Sequence, residues 1–374
     1  MISLNSLTSV LGSSEILGVD IGSYSVKLVQ LKQAGNSWSL VNWAVMSLPE
    51  EMQAADINPV ERKKAISTLI KNHISERKIN CRKAAISVSG SSVIVRFVKF
   101  PKITKEELSK TIQFEAEPYI PFDIREVNLG FYILGDVVEE GQKKTEVVLV
   151  AAKRDIIQDR IDILTEAGIT PVIIDVDAFA LENSYELNHD SNTSEMLVVV
   201  NIGANVTNMS VIENNVSRVV RDIFYGGNAL NKALQKNLNC DYKTAEQLKR
   251  KYGLIFTQED KEKALADNQK ESLQVSNILI SACKDLLSEI HRSIDFFYAQ
   301  RGEQQVLNRV LLSGGVACLK NIDKYFAQEL KLPVDIFNPL MKVENSNIVA
   351  PPENLTLLSI ATGLALRKIK DTKG

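Results

Sequence analysis

The fold is decided by Ile16-Leu-Gly-Val-Asp20-Ile-Gly-Ser23-Tyr-Ser25-Val-Lys27. Its first half is an apolar run that ends in a carboxylate and a glycine, and Val26 to Leu31 resumes the apolar pattern. About 180 residues later, the chain repeats both halves as Met196-Leu-Val-Val-Val-Asn201-Ile-Gly203 and Val206 to Val211. Each copy is typical of a β-hairpin with a tight turn and a buried, nearly all-apolar first strand. Two such hairpins half a chain apart predict two related lobes.

The bulk composition excludes several classes of protein. The 374 residues are enough for one large two-lobed unit or for two to three domains. The 44 Lys and Arg residues nearly balance the 46 Asp and Glu residues, which argues against a nucleic-acid binder. The four cysteines show no CxxC spacing, so we expect a reducing compartment and no metal or disulfide framework. No apolar run approaches the ~20 residues that span a bilayer, and no basic segment opens a signal peptide.

The turn of the first hairpin has the residues that a phosphate-binding loop needs. Gly22 lets the backbone approach an oxyanion closely, and backbone N–H groups with the Ser23 and Ser25 hydroxyls can then cradle a phosphate. Asp20, at the strand end, is placed to hold Mg²⁺ through water, because this ion usually keeps several of its waters. The same motif also fits an ordinary hairpin turn. The candidate nucleotide-binding residues here are Asp20, Gly22, Ser23, Tyr24, Ser25 and Lys27.

Three further segments carry candidate nucleotide contacts. The second hairpin can form a mirror-image phosphate clamp. A double glycine after the Leu311 to Ser313 strand lets a flat purine lie against the backbone, and the helix start that follows favours anions. Glu246 and Lys249 are either a solvated helix pair at i,i+3 spacing or contacts for ribose and base. The candidates are Gly203, Ala204, Asn205, Thr207, Gly226, Gly227, Glu246, Lys249, Gly314, Gly315 and Val316.

In their order and separation these segments resemble the actin-like ATPase superfamily, which includes actin, Hsp70, sugar kinases and the division protein FtsA. The resemblance implies an α/β, actin-like (ribonuclease H-like) fold of two lobes, with ATP or ADP and Mg²⁺ between them. It also implies that the hairpins grip the phosphates while the segments around Gly226 and Gly314 hold the adenosine. The connecting segment offers Asp175 and Asp177, which fit helix N-caps equally well. The implied neighbours of Mg²⁺, through water, are Asp20, Asp175 and Asn201.

The region after the first hairpin narrows the resemblance to one branch of this superfamily. Strand-like runs at Ala84 to Gly90 and Ser91 to Phe100, followed by a helical run at Ile103 to Ala116, are similar to the small extra domain of FtsA and of the PilM family of type IV pilus assembly proteins. Two stretches resemble the PilM pattern closely, namely Gln113-Phe-Glu-Ala-Glu-Pro-Tyr-Ile-Pro-Phe122 and Asp241-Tyr-Lys-Thr-Ala-Glu246. This resemblance covers almost the whole chain beyond residue 15.

The resemblance also suggests where the domains lie. We expect an N-terminal tail at 1–15 and a first-lobe core at 16–90 and 171–192, joined by a C-terminal helix at 354–370. The inserted small domain, of the FtsA type, is expected at 91–170. The second-lobe core is expected at 193–226 and 306–353, with a subdomain at 227–305 that contacts the adenosine.

Resemblance to PilM implies a cytoplasmic protein at the inner face of the bacterial inner membrane. It implies capture of the N-terminal cytoplasmic tail of the membrane protein PilN and links to other inner-membrane and motor components of the pilus. Membrane contact would be indirect, through a partner, and self-association stays open. We expect one wall of the tail groove at Val93, Val95, Arg96 and Phe97, because an extended peptide can add to a strand edge. The alternative is that Val93, Val95 and Phe97 are core residues, with Arg96 pointing outward.

Asn201 departs from the family pattern, which usually has Asp at this position. An amide can accept a hydrogen bond from a metal-bound water, but it supplies neither negative charge nor a general base. The sequence therefore predicts ATP binding with Mg²⁺ retained and hydrolysis slow or absent.

Two other functions remain open from the sequence. A sugar-kinase-type phosphotransferase needs a carboxylate base beside the γ-phosphate, and no stretch clearly supplies it. An FtsA-like filament-forming division protein is expected to end in a basic amphipathic helix after a linker. Here Leu357, Ile360, Ala361 and Leu364 instead make an apolar face that we expect to pack on the first lobe. A cytoplasmic domain of a type II secretion protein is a near relative that would continue into a membrane span.

Overall fold

The computed structural model describes residues 15–53, 57–189, 195–214, 216–301, 306–344 and 350–368. The predicted tail at 1–15 therefore lies outside the described residues except for Glu15. The strands are β1 (Leu17–Ile21), β2 (Ser25–Ala34), β3 (Ser37–Ser47), β4 (Lys83–Val88), β5 (Val93–Pro101), β6 (Val127–Glu139), β7 (Gln142–Lys153), β8 (Thr170–Val176), β9 (Met196–Ile202), β10 (Thr207–Glu213), β11 (Val216–Ile223), β12 (Arg309–Ser313), β13 (Val334–Ile336) and β14 (Val343–Glu344).

The helices alternate with these strands along the chain. They are α1 (Pro59–Glu76), α2 (Lys105–Ala116), α3 (Arg154–Glu166), α4 (Asp177–Asn188), α5 (Gly227–Leu238), α6 (Tyr242–Tyr252), α7 (Gln258–Ala266), α8 (Lys270–Arg301), α9 (Ile322–Leu330), α10 (Pro352–Leu355) and α11 (Ser359–Ala365). Short 3₁₀ turns lie at Glu50–Met52, Glu117–Tyr119, Ile124–Glu126, Gly315–Cys318 and Thr356–Leu358.

Each lobe is built on its own mixed sheet. The first sheet has the order β14-β3-β2-β1-β4-β8, and the second has the order β11-β10-β9-β12-β13. The repeated hairpins occupy equivalent places, because β1 pairs antiparallel with β2 and parallel with β4, while β9 pairs antiparallel with β10 and parallel with β12. All residues of β1 and β9 are buried, as expected of central strands covered on both faces. The prediction of two related lobes is confirmed.

Helix α11 closes the first lobe by crossing β1 and α4 at very short range. A Cβ atom on Gly18 would overlap the carbonyl oxygen of Ala361, and one on Gly363 would overlap the carbonyl oxygen of Ala180. Glycine is therefore required at both positions by space rather than by backbone torsion. The C-terminal helix expected at 354–370 is divided in the structure, because the 3₁₀ turn at Thr356–Leu358 separates α10 from α11. The Thr356 carbonyl accepts from the Gly314 amide at 3.0 Å and from the Ser313 hydroxyl at 3.0 Å instead of continuing a helical ladder.

The region inserted after β4 forms a separate three-stranded sheet in the order β5-β7-β6. Helix α2 covers one face through Leu108 and begins with a capping box between Thr104 and Glu107. The other face buries Val93 and Val95 against residues of the first lobe. Strand β5 pairs only with β7 among the described residues, so one edge of the inserted sheet is free of a neighbouring strand.

Helix α3 belongs by its contacts to the first lobe. Its Ile163 and Leu164 are buried in one cluster with Ile66 and Ile70 of α1 and with residues of β1 and β4. The sequence predicts that residues 154–170 belong to the inserted domain. These contacts favour an inserted domain that ends near the start of α3, although the boundaries as a whole remain a prediction.

The polar stretch from Thr257 to Ser272 is more helical than the sequence suggests. We expect a loop or an exposed helix start there, and the structure has the whole of α7 and the first residues of α8. The Thr257 hydroxyl accepts from the Asp260 amide at 3.1 Å and so caps α7. A cap of this kind can start a helix that shows almost no apolar stripe, which explains why apolar periodicity missed it.

Candidate nucleotide cleft

The turn between β1 and β2 is held in one shape by short-range contacts. The Gly22 amide donates to the Ser25 carbonyl at 3.1 Å, and the Arg62 guanidinium donates to the Ser23 carbonyl at 2.7 Å. Lys27 pairs with Asp20 at 3.2 Å. A Cβ on Gly22 would lie 2.9 Å from the Lys27 Nζ, so glycine leaves room for this ammonium beside the turn. The predicted phosphate loop thus presents Ser23 and Tyr24 at a turn backed by two cations.

The second hairpin turn has the same internal bond and is fixed from outside as well. The Gly203 amide donates to the Val206 carbonyl at 3.0 Å, as Gly22 does to Ser25. The Gly203 carbonyl accepts from the Gly227 amide at 2.9 Å, and the Ala204 carbonyl accepts from the Asn228 amide at 2.8 Å. These bonds tie the turn to the N-terminus of α5. The double glycine permits this contact, because a Cβ on Gly226 would lie 2.5 Å from the Gly203 oxygen.

Thr207 and Asn205 differ in the roles that the structure allows. The Thr207 hydroxyl is fully buried and donates to the Tyr225 carbonyl at 2.7 Å, so it supports the turn rather than facing a ligand. Asn205 is exposed at the turn surface, where its side-chain oxygen accepts from the side-chain amide of Asn228 at 2.8 Å. Of these two predicted contacts, only Asn205 is on the accessible side of the hairpin.

The candidate adenosine contacts on α6 form a buried charged cluster. Lys249 is only 8% exposed and pairs with Glu246. Glu246 also accepts from Arg250 at 2.6 Å and from Asn231 at 2.8 Å. Burial alone would raise the pKa of Glu246, but the Lys249 charge and these hydrogen bonds hold its pKa at about 2. The interpretation as a solvated helix pair is therefore wrong.

The glycines near β12 complete this side of the cleft. Gly314 has a φ of 85° and lies against the backbone of Ile202, so both its torsion and its packing require glycine. A Cβ on Gly315 would have ordinary room, with its nearest atom 3.8 Å away. A Cβ on Gly227 would lie 3.0 Å from Val316 and 3.6 Å from the Lys249 Nζ. Gly203, Gly227, Lys249 and Val316 are thus brought together, as the sequence predicts.

The two lobes meet across the mouth of this cleft. Arg250 of α6 donates to the Tyr24 hydroxyl at 3.3 Å, and its guanidinium carbon lies 5.7 Å from the centroid of the Tyr24 ring. Lys243 of the same helix lies 3.5 Å from Glu50 of the first lobe. Both contacts are exposed, so each contributes little alone and is sensitive to salt.

The predicted metal neighbours are not all brought together. Asp175 is buried, pairs with Arg367 at 3.1 Å and accepts from the Val176 amide at 2.8 Å. Asp177, two residues later, is the carboxylate that interacts with Asp20, and it accepts from the Ser87 hydroxyl at 2.5 Å. Burial in this cluster lowers the pKa of Arg160, while the charges of Asp177 and Asp20 raise it.

These carboxylates fit a magnesium ion bound through water better than a metal ion held directly by several protein side chains. Within the described ranges, no group of three His, Cys, Asp or Glu side chains is arranged to hold a metal. Asp20 and Asp177 lie near each other but are already balanced by Lys27 and Arg160. Mg²⁺ usually keeps several waters and takes its remaining ligands from nucleotide phosphates, which this donor set allows.

Several residues around the cleft carry no signal in the sequence. They are Arg62 on α1, Arg160 on α3, Asp222 on β11 and Arg250 on α6. Arg62, Arg160 and Asp222 lie on elements distant in sequence from the quoted motifs. Only Arg250 lies close to a quoted motif.

Asp177 should make stability depend on pH between about 4 and 6. Burial and the neighbouring charge of Asp20 raise its pKa to about 6, so the folded protein keeps this proton to a higher pH than the unfolded chain. The associated stabilisation is full below the unfolded pKa and is lost as pH rises through 6. Relative to wild type, Asp177→Asn should gain up to about 3 kcal/mol between pH 4 and pH 7. Urea unfolding across this range measures the difference, and a constant difference would contradict it.

The residues expected to form the peptide groove lie in three different places, namely the core beneath the inserted sheet, the surface and a cavity. Val93 and Val95 are each 8% exposed and lie in the cluster beneath the inserted sheet, while Arg96 is exposed. Phe97 lines a cavity of about 440 Å³ between the inserted sheet and the second lobe. The other lining residues are Val98, Lys99, Tyr119, Glu146, Arg218, Val219 and Phe297.

Residues 18–369 match the type IV pilus assembly protein PilM family. The chain belongs to this family.

Solved structures agree with this assignment. The chain is 25% identical to the matched chain of a PilM–PilN type IV pilus biogenesis complex, with a TM-score of 0.79 over 95% of this chain and 98% of that one. The ethanolamine utilization protein EutJ of Carboxydothermus hydrogenoformans is 15% identical, with a TM-score of 0.53 over 95% of this chain and 90% of that one. MreB 5 of Spiroplasma citri, bound to AMPPNP, is 14% identical, with a TM-score of 0.50 over 96% and 97%. The last two similarities support the actin-like fold alone. In the described part of the chain, no helix is both long and apolar enough to cross a membrane.

Proposed function

We propose that this chain is an actin-like, nucleotide-binding scaffold of the type IV pilus. In this proposal it captures the N-terminal cytoplasmic tail of PilN at the inner face of the inner membrane and links that complex to the pilus motor. The observation that carries the proposal is the full-length similarity to the PilM chain of a complex that contains PilN. The inserted sheet, which a two-lobed nucleotide-binding fold does not need, supports it.

The cleft supports ATP or ADP as the bound nucleotide. The turn after β1 presents Ser23 and Tyr24, the turn after β9 presents Asn205, and Lys249 and Val316 border the space beside Gly227. Mg²⁺ would enter with the phosphates and contact Asp20 through water. No carboxylate stands at position 201, so we expect turnover to be slow and the nucleotide to act as a structural ligand.

The cavity beside Phe97 is the site that we propose for the tail. It lies between β5 and β11, which are edge strands of the inserted sheet and of the second sheet. An extended peptide can pair with an exposed strand edge and place alternate side chains in pockets. Phe97 and Val219 provide apolar surface for such side chains, and the Arg218–Glu146 pair at 3.2 Å forms a polar border.

A peptide titration tests both the partner and the place. A labelled peptide copying the PilN tail of the same organism should bind saturably, as followed by fluorescence anisotropy with and without ATP and Mg²⁺. Phe97→Glu should weaken binding at least about tenfold, because it puts a charge into the apolar part of the cavity. Phe114→Glu is the matched control, since Phe114 is 78% exposed on α2.

The two possible failures are distinguishable. No binding to the wild-type protein in either nucleotide state would reject PilN capture. Binding that Phe97→Glu leaves unchanged would keep the partner but reject the cavity as its site.

A further inference from the structure

Three polar side chains form a ladder across the second sheet and reach the first lobe. The Asn201 amide donates to the Asn208 Oδ1 at 2.9 Å, and the Asn208 amide donates to the Asp222 Oδ1 at 2.8 Å. The other Asp222 oxygen accepts from the backbone N–H of Gly90 at 2.6 Å. Asn208 is directly opposite both other residues in the strand register, so β9, β10 and β11 each supply one member.

The ladder lies where it can couple two regions of the molecule. Asn201 is two residues before Gly203 of the candidate phosphate turn, and Gly90 accepts from the Val93 amide at the start of the inserted sheet. Asn201 and Asn208 are 8% and 3% exposed, so water competes little for the first bond. Breaking this bond would leave two buried amide groups unpaired, which is costly. The bond that joins the lobes is the part-buried one from the Gly90 amide to Asp222.

The chemistry of the three residues gives the ladder a direction. Both Asp222 oxygens accept hydrogen bonds, so Asn208 turns its NH₂ toward Asp222 and its oxygen toward position 201. The residue at 201 must then donate. Asn201 donates through its NH₂ group, whereas an ionised aspartate at the same place would present an oxygen to the Asn208 oxygen.

We propose that Asn201, Asn208 and Asp222 form a one-way hydrogen-bond relay that ties the second lobe to the Gly90 turn at the base of the inserted sheet. In this proposal position 201 carries an amide because the residue there must donate a hydrogen bond to the Asn208 oxygen. The absence of a carboxylate at this position thus has a structural cause, separate from any effect on hydrolysis. The inference does not depend on the proposed partner.

Reversing the relay provides the decisive test. Asn201→Asp places Asn208 between two carboxylates, and only one of them can receive its NH₂ group. The double variant Asn201→Asp with Asp222→Asn has the wild-type charge and restores a complete relay in the opposite direction, with the amide oxygen introduced at position 222 still accepting from Gly90. Asp222→Ala removes the acceptor, and Asn237→Asp, on the exposed side of α5, controls for the Asn-to-Asp change itself.

Hydrogen exchange of the Gly90 amide, followed by NMR, reads the last bond of the relay directly. Exchange should be roughly tenfold faster or more in Asn201→Asp and in Asp222→Ala. It should return to within about threefold of wild type in the double variant and stay unchanged in Asn237→Asp. Wild-type exchange in Asn201→Asp, or fast exchange in the double variant, would overturn the proposal. If Asn201→Asp alone does not fold, a comparison of Gly90 exchange between the double variant and wild type still tests the proposal.

Discussion

Replacing Gly363 by alanine is expected to destabilise the first lobe by about 3 kcal/mol. The added methyl would overlap the Ala180 carbonyl, and the atom it meets is backbone on α4, which cannot turn aside as a side chain would. Helix α11 would have to move away from both α4 and β1. Thermal unfolding should show a fall in Tm of roughly 5–10 °C or a loss of soluble protein.

Gly130→Ala is the matched control for this prediction. Gly130 lies in β6, and a Cβ there would have nothing within 4 Å. Its Tm should stay within about 2 °C of wild type, because surface changes away from such features are usually small. A Gly363→Ala protein that melts like the control would mean that α11 does not sit against α4 as described.

Removal of the Glu246 carboxylate is expected to have the second large effect. Glu246→Ala leaves the nearly buried Lys249 without its counter-ion, which costs about 3–5 kcal/mol when an ion pair is buried. It also removes the acceptor for Asn231. Urea unfolding should show the loss of stability. Affinity for a fluorescent ATP analogue should fall as well, because α6 borders the space beside Gly227.

The double variant Glu246→Ala with Lys249→Met separates charge from packing. It removes the uncompensated ammonium, so much of the lost stability should return while nucleotide affinity should not. Glu262→Ala, on the exposed face of α7, should change stability by less than about 0.5 kcal/mol. Equal stability losses in the single and double variants would show that the Lys249 charge is not the cause.

The repeated hairpins were predictable because their pattern is local and strong. Both have a buried strand of apolar residues followed by glycine, and the structure places them at equivalent positions of two sheets. Strand β6 has no such pattern. Gly130 and Gly135 interrupt it, and the register shifts between Ile133 and Gly135. No strand was predicted there, although β6 has 13 residues.

The candidate site was predictable only in its glycine-rich turns. Glycine marks close backbone approach in the sequence itself, which is why Gly203, Gly226 and Gly314 were found. The Asp175 and Asp177 pair shows the limit, because a strand ends and a helix begins between them, and the two side chains turn to different neighbours. No local rule states which of the two carboxylates is affected by the charge of Asp20. Burial of the Glu246 and Lys249 pair was equally invisible, since Asn231 lies on another helix.

The crossing of α11 over β1 has a consequence for how the chain is made. Among the elements that the structure describes, a ribosome releases β1 first and α11 last. Until residues 359–365 emerge, Gly18 and the apolar side of the first sheet lack the helix that covers them. The second lobe can complete its own sheet earlier, since β13 ends at Ile336. We therefore expect the first lobe to mature after the second, and nascent chains cut short before α11 to need a chaperone.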